Sequence, residues 1–168
     1  MIFNSVDFLV FFPIVILLYF LVPRKIRYIW LLGASIYFYM CWNVKYVILL
    51  LVSILTTWLA GLLIQKYKNT AVRKWILATC LIVNIGILFF FKYFDFFLDS
   101  LNKVLGKAGI QTVESSFSVL LPVGISFYTF QALGYIIDVY KGKIDAEKNP
   151  LRYALCVSFF PQLVAGPI

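Results

Sequence analysis

Residues 47–64 read VILLLVSILTTWLAGLLI, a long apolar run without a charged side chain. A transmembrane helix needs about 20 predominantly apolar residues, within a range of about 17 to 25. The helix is the required form because lipid offers the backbone no hydrogen-bond partners, so each N–H and C=O must be satisfied within the segment. Residues 47–64 therefore predict a helix that crosses a membrane.

Further apolar runs lie on both sides of this segment. They occupy residues 8–22, 26–42, 75–91 and 123–140, and a last run extends from residue 153 to residue 168. Residues 94–105 differ, because charged side chains fall between apolar ones at helical spacing, which predicts an interfacial helix or a wet extension of the preceding helix. The sequence thus predicts an all-α, polytopic transmembrane protein with about six membrane segments, forming a single membrane domain over residues 1–168.

The composition excludes an ordinary soluble domain. Of the 168 residues, 63% are hydrophobic and 13% are charged, against about 45–50% and about 25% in soluble domains. A domain of about 150 residues buries only about 70% of its unfolded surface, so the apolar surplus must face lipid. The net charge of +8 lies in clusters between the apolar runs, which is typical of membrane proteins and does not indicate nucleic-acid binding.

The distribution of basic residues predicts the orientation in the membrane. Most of the 15 Lys and Arg residues lie in the loops at residues 23–28, 65–74 and 141–152, whereas the alternate loops carry few. Cytoplasmic loops carry an excess of Lys and Arg. We therefore expect these three loops in the cytoplasm and the N-terminus outside, with membrane lipids as neighbours.

The inventory of reactive side chains is small. The chain contains no His, which removes the commonest general base and metal ligand. The three cysteines lie in or beside apolar runs without a C-x-x-C spacing, so free thiols are expected rather than a metal site or a disulfide. No phosphate-binding loop or dinucleotide fingerprint is present. These residues predict neither a metal site nor a catalytic group in this chain.

A polar stripe runs along the segment at residues 123–140. Its members are spaced by four, three, four and three residues, which places them on one helix face. They are Gly124, Tyr128, Gln131, Tyr135 and Asp138. A bare amide or carboxylate facing lipid is costly, so this face should meet protein or a water-filled cavity. Both a tunnel wall and ordinary interhelical hydrogen bonding fit the spacing, and the same period places Leu133 toward lipid.

Two polar positions have specific alternatives. Asp138 lies near Lys141 and Lys143, so an interfacial ion pair is favoured over a functional carboxylate. Pro161 and Pro167 should break the last apolar run, because proline lacks the N–H and its ring clashes with the preceding turn. We therefore expect a kinked or re-entrant segment. Gln162 would either satisfy backbone groups freed by that break or contact a substrate.

Two strings resemble motifs of a known family. Residues 121–131, LPVGISFYTFQ, closely resemble a motif of the membrane-bound O-acyltransferase family, and the match continues through residues 135–142, YIIDVYKG. Residues 160–168, FPQLVAGPI, resemble the next motif of the same bacterial branch. Residues 1–5, MIFNS, and 33–39, GASIYFY, also look like that branch, which contains the alginate O-acetyltransferase membrane subunit and the teichoic-acid D-alanyl transferase. The resemblance spans essentially the whole chain.

The resemblance implies a ring of membrane helices around a tunnel, of which this chain would form part. In the family the catalytic His lies in the second half of the protein. The expected His would therefore lie beyond Ile168, the chain would be the N-terminal portion of a longer O-acyltransferase, and it would be inactive alone. The substrate-binding or tunnel-lining positions that the resemblance implies are Tyr128, Gln131, Tyr135, Asp138 and Gln162. The implied structural motif positions are Pro122, Gly124, Pro161, Gly166 and Pro167.

The implied function is O-acetyl transfer across a bacterial inner membrane. Acetyl-CoA or another acyl donor would be a substrate rather than a tightly bound cofactor, and the acceptor would be an exported polysaccharide. An extracytoplasmic acyltransferase is a candidate partner. Two alternatives stay open: D-alanyl transfer to teichoic acid, and a transporter or flippase component, since broken apolar segments also occur in transporters.

Overall fold

The computed structural model describes residues 6–41, 44–107 and 124–165. Pro122, Gly166 and Pro167 lie outside the described residues. The helices are α1 Val6–Leu21, α2 Arg27–Met40, α3 Val44–Lys66, α4 Thr70–Lys107, α5 Ile125–Tyr140, α6 Pro150–Ser158 and α7 Phe160–Ala165. The predicted apolar runs coincide with α1 to α5 and with α6 plus α7, which confirms the all-α prediction.

Two helices in the described part of the chain are long and apolar enough to cross a membrane. They are Tyr46–Lys66 within α3 and Thr70–Tyr93 within α4, and α1 is apolar but shorter. Large apolar side chains cover the outward surface, and Val6 is 76% and Ile82 71% exposed. Such a surface suits lipid, because soluble monomers rarely expose large contiguous apolar patches.

Residues 94–105 continue α4 rather than forming a separate interfacial helix. The helix has 38 residues without interruption, which corresponds to about 57 Å at 1.5 Å per residue. The hydrocarbon core of a bilayer is about 30 Å thick. Of the two alternatives, the structure therefore shows an extension of the membrane helix.

The central helix is α3, which packs on α2, α4, α5 and α6. One core cluster joins α3 to α2, α5 and α6 through residues such as Leu50, Tyr128 and Val157. A second cluster joins α3 to α4 and α5 and includes Leu133. The predicted outward position of Leu133 is therefore wrong. Because α3, α4 and α6 all contact α5, only a narrow arc of α5 faces outward, marked by Phe130 at 64% exposure.

Candidate functional site

The last apolar segment breaks between α6 and α7, as the sequence predicts. Helix α6 ends at Ser158, and Phe159 has φ −59° and ψ 113°, which is not helical. Pro161 lies in the first turn of α7. In a continuous helix its ring would clash with the carbonyl of Val157, and it has no N–H to donate there. The non-helical ψ of Phe159 removes that conflict.

Two side chains replace the backbone hydrogen bond that the break removes. In a continuous helix the Phe160 N–H would donate to the Cys156 carbonyl four residues earlier. Instead, the Phe160 N–H donates to Ser35 Oγ at 3.3 Å, and the Cys156 carbonyl accepts from Gln131 Nε2 at 2.9 Å. Ser35 Oγ in turn donates to the Leu31 carbonyl at 2.8 Å. Helices α2 and α5 therefore hold the break from two sides.

Gln131 also meets the second amide that the sequence singled out. Its Nε2 lies 3.4 Å from Oε1 of Gln162 and 3.8 Å from Sγ of Cys156. The Gln162 N–H donates to the Phe159 carbonyl at 3.0 Å, which closes the first turn of α7. Ser35, Gln131, Cys156 and Gln162 lie at the break between α6 and α7, and we call these four residues the break junction. The structure thus brings together two site candidates that are distant in sequence.

The first two members of the polar stripe lie at the start of α5 and in the helix core. Gly124 precedes α5 with φ +76°, a left-handed conformation that glycine adopts without steric cost. Its carbonyl accepts from the Tyr128 N–H at 3.0 Å. The Tyr128 side chain is buried in the core cluster that also contains Tyr39. Gly124 therefore has a structural reason to be glycine, and Tyr128 braces the helix core.

The last two members contact the loop that follows α5. The Tyr135 hydroxyl accepts from the Glu147 N–H at 2.9 Å, and its ring centre lies 4.5 Å from that of Tyr153. Asp138 Oδ1 lies 3.7 Å from Lys143 Nζ, so the structure contains the expected ion pair with that lysine, and a functional role of the carboxylate stays a prediction. The stripe contacts several different parts of the protein. Its role in a tunnel stays a prediction.

A second polar network, between α3, α4 and α6, was missed from the sequence. Ser53 Oγ donates to Asn84 Oδ1 at 2.7 Å, and Asn84 Nδ2 donates to the Cys80 carbonyl at 3.0 Å. Nearby, the Tyr153 hydroxyl donates to Thr57 Oγ1 at 2.8 Å. Asn84 is the one amide in the run at residues 75–91, and polar groups at membrane depth usually bond across helices. A single amide within an apolar run is therefore a sequence signal that predicts this network.

The chemistry of the break junction is hydrogen bonding rather than proton transfer. It offers the side-chain amides of Gln131 and Gln162 and the exposed thiol of Cys156, which can bind and orient carbonyl or hydroxyl groups. The Ser35 hydroxyl is fully buried and already hydrogen-bonded. The absence of His from this sequence means that a His general base would have to come from elsewhere. Within the three described ranges, no group of three or more His, Cys, Asp or Glu side chains could hold a metal ion.

The chain is similar to several curated proteins along most or all of its length. It is 38% identical over 172 residues to a Pseudomonas aeruginosa protein named probable alginate O-acetylase AlgI, covering 100% of this chain and 32% of that protein. The Azotobacter vinelandii protein of the same name is 37% identical, with 100% and 34% covered. A Helicobacter pylori peptidoglycan O-acetyltransferase is 39% identical over 164 residues, with 83% and 30% covered.

These similarities confirm the resemblance that the sequence motifs indicate. The chain spans about a third of the length of the curated relatives it matches. No protein-family model matches the chain. No solved structure matches it.

Proposed function

Since this chain is similar along its whole length to probable alginate O-acetylases and over 83% of its length to a peptidoglycan O-acetyltransferase, we propose that it forms the N-terminal part of a membrane-bound O-acetyltransferase. The complete protein would transfer an acetyl group from a cytoplasmic donor such as acetyl-CoA to an exported polysaccharide. It would lie in the bacterial inner membrane with the N-terminus outside, and residues 1–168 would supply part of a helical ring. An extracytoplasmic acyltransferase would be its partner.

The break junction is our candidate location for the acyl path. It lies at the break within the segment whose motif resembles the family, and two half-buried amides meet there at 3.4 Å. Irregular backbone at membrane depth is tolerated where it is buried in protein or lines a cavity. We assign Gln131 and Gln162 to hydrogen bonding with the acyl group or the acceptor, while Tyr128, Tyr135 and Asp138 brace the helix that carries Gln131.

The proposed mechanism is acyl transfer with a His supplied by the remainder of the protein. That His would remove the proton from an acceptor hydroxyl as general base. The hydroxyl oxygen then attacks the donor carbonyl, the carbon–sulfur bond of the thioester breaks, and the thiolate leaves with a proton. Amide N–H groups at the break junction can stabilise the oxyanion that develops on that carbonyl.

The relatives favour this function over the two alternatives. Their names refer to O-acetylation of alginate or of peptidoglycan, and none of the three refers to D-alanyl transfer or transport. The broken helix alone would suit a transporter equally well. The names of the relatives are therefore the observation that carries the proposal.

The test uses the full-length protein that contains this chain, reconstituted in vesicles with polysaccharide acceptor outside. Labelled acetyl-CoA is supplied inside, and label on the outer polysaccharide is measured. The proposal predicts protein-dependent acetylation. Transfer of label only from a D-alanyl carrier, or movement of unmodified polysaccharide without acetylation, would contradict it. The 168-residue chain alone should show no transfer, because it lacks His.

A further inference from the structure

A polar cavity of about 280 Å³ lies at the end of the bundle where α3 ends and α4 begins. The turn after α5 closes its other side. Its polar lining comes chiefly from Gln65, Lys68, Arg73, Gly142 and Asp145. Pockets for drug-sized ligands usually measure about 300–1,000 Å³, so this cavity suits a small group. It is separate from the break junction.

Arg73 is the half-buried cation of this cavity. Its Nη2 donates to the Tyr140 carbonyl at 2.7 Å, and its Cζ lies 5.4 Å from the centre of the Tyr140 ring. These contacts fix the guanidinium plane. The Nε–H is buried, and no atom of the described residues accepts a hydrogen bond from it. A buried donor on a charged group without an acceptor is costly, so the guanidinium lacks part of its compensation and an anion beside it would be favourable.

The rest of the lining favours an anion. Lys68 adds a second, exposed cation. The one carboxylate in the lining, that of Asp145, accepts from Gln65 Nε2 at 2.8 Å. Gln65 Oε1 also accepts from the Ala146 N–H at 3.1 Å. Two cations therefore face one carboxylate that is already hydrogen-bonded, and the cavity keeps a net positive charge.

We propose that this cavity binds a phosphate group. Guanidinium groups match phosphate oxygens in charge and geometry, and Lys binds phosphate as a point charge. Two sources share this chemistry: the headgroup of an anionic phospholipid, and a free phosphate compound on the side that the charge distribution assigns to the cytoplasm. The site is independent of the proposed acetyl transfer, because no acyl chemistry is required for binding.

The test measures binding of two probes to the protein in nanodiscs. Inorganic pyrophosphate is titrated by calorimetry in discs of phosphatidylcholine alone. Retention of phosphatidylglycerol is measured by mass spectrometry after purification from mixed lipid. The variants are Arg73→Gln and Lys68→Gln, and the matched control is Lys74→Gln. Lys74 is an exposed cation in the same helical turn as Arg73 but does not line the cavity.

Binding of phosphate from either source would support the proposal, and each source predicts its own pattern of losses among the variants. If pyrophosphate binds, Arg73→Gln should weaken it at least about tenfold and Lys68→Gln about threefold, while Lys74→Gln stays within about twofold. If only the lipid binds, both cavity variants should lose phosphatidylglycerol and the control should keep it. Lys68 is exposed, so Lys68→Gln keeps the test decisive if Arg73→Gln does not fold. Binding of neither probe would overturn the proposal, as would equal losses in Lys68→Gln and Lys74→Gln.

Discussion

Ser35→Ala should destabilise the protein by about 1–3 kcal/mol, the cost of a buried donor that loses its acceptor. The substitution removes the oxygen that accepts from the Phe160 N–H at 3.3 Å, and Ser35 itself is fully buried. Gln131→Leu conserves volume and removes the donor to the Cys156 carbonyl at 2.9 Å. We expect a smaller cost of about 1 kcal/mol, because Gln131 is only half-buried.

The double variant should lose about as much stability as the two single variants together. The freed Phe160 N–H and Cys156 carbonyl cannot pair as in a continuous helix, because a helical Phe159 would bring the Pro161 ring against the Val157 carbonyl. That clash costs about 3 kcal/mol, more than the roughly 0.5–1.5 kcal/mol of one regained hydrogen bond. The coupling energy between the two substitutions should therefore lie within about 0.5 kcal/mol of zero.

The assay is a double-mutant cycle from reversible unfolding in mixed detergent micelles. Phe130→Leu is the control, because Phe130 lies on the outward face of the same helix at 64% exposure and should change stability little. A coupling energy above about 1 kcal/mol that opposes the single effects would show that the helix re-forms across the break, which would refute the role given to Pro161. Wild-type stability in both single variants would show that Ser35 and Gln131 do not support the break at all.

Three further substitutions give graded effects, each measured by the same unfolding assay. Gly124→Ala should cost about 1 kcal/mol or more because its φ is +76°, and an unchanged stability would contradict the left-handed cap. Asn84→Leu should cost about 1–3 kcal/mol because it leaves the Ser53 hydroxyl without its acceptor in a buried site; a stabilised variant would show that the network is dispensable. Asp138→Asn should cost less than about 1 kcal/mol because its ion pair with Lys143 is long and exposed, and a larger loss would indicate a further role for the carboxylate.

The helices and the break follow from local chemistry, which explains why the sequence predicts them. Uncharged runs such as residues 47–64 have one stable form in lipid, and Pro161 disrupts a helix whatever surrounds it. The Asp138–Lys143 pair was also foreseeable, because the two groups lie close together at one helix end. The positive φ of Gly124 explains why a glycine occupies that position.

The contacts between helices could not be predicted in the same way, since they depend on how the helices pack. The helical period gives the polar face of α5 but not the number of helices that pack against it. It therefore predicts that Leu133 faces outward, although α3, α4 and α6 surround α5 and Leu133 lies in the core. Nothing in the sequence shows that Ser35 receives the Phe160 N–H from 125 positions away. Asn84 differs, because a single amide within an apolar run does predict a hydrogen bond between helices, although it does not identify Ser53 as the partner.

The most direct test of the central claim compares Gln162→Leu with Phe130→Leu in the full-length protein. Acetyl transfer to polysaccharide is measured in vesicles and normalised to folded protein. Loss of one hydrogen bond used in the transition state costs about 1–3 kcal/mol, or roughly 5- to 150-fold in rate. The account predicts such a loss per folded molecule for Gln162→Leu and near-normal transfer for Phe130→Leu. Wild-type transfer in Gln162→Leu, or equal losses in both variants, would contradict the assignment of the break junction to the acyl path.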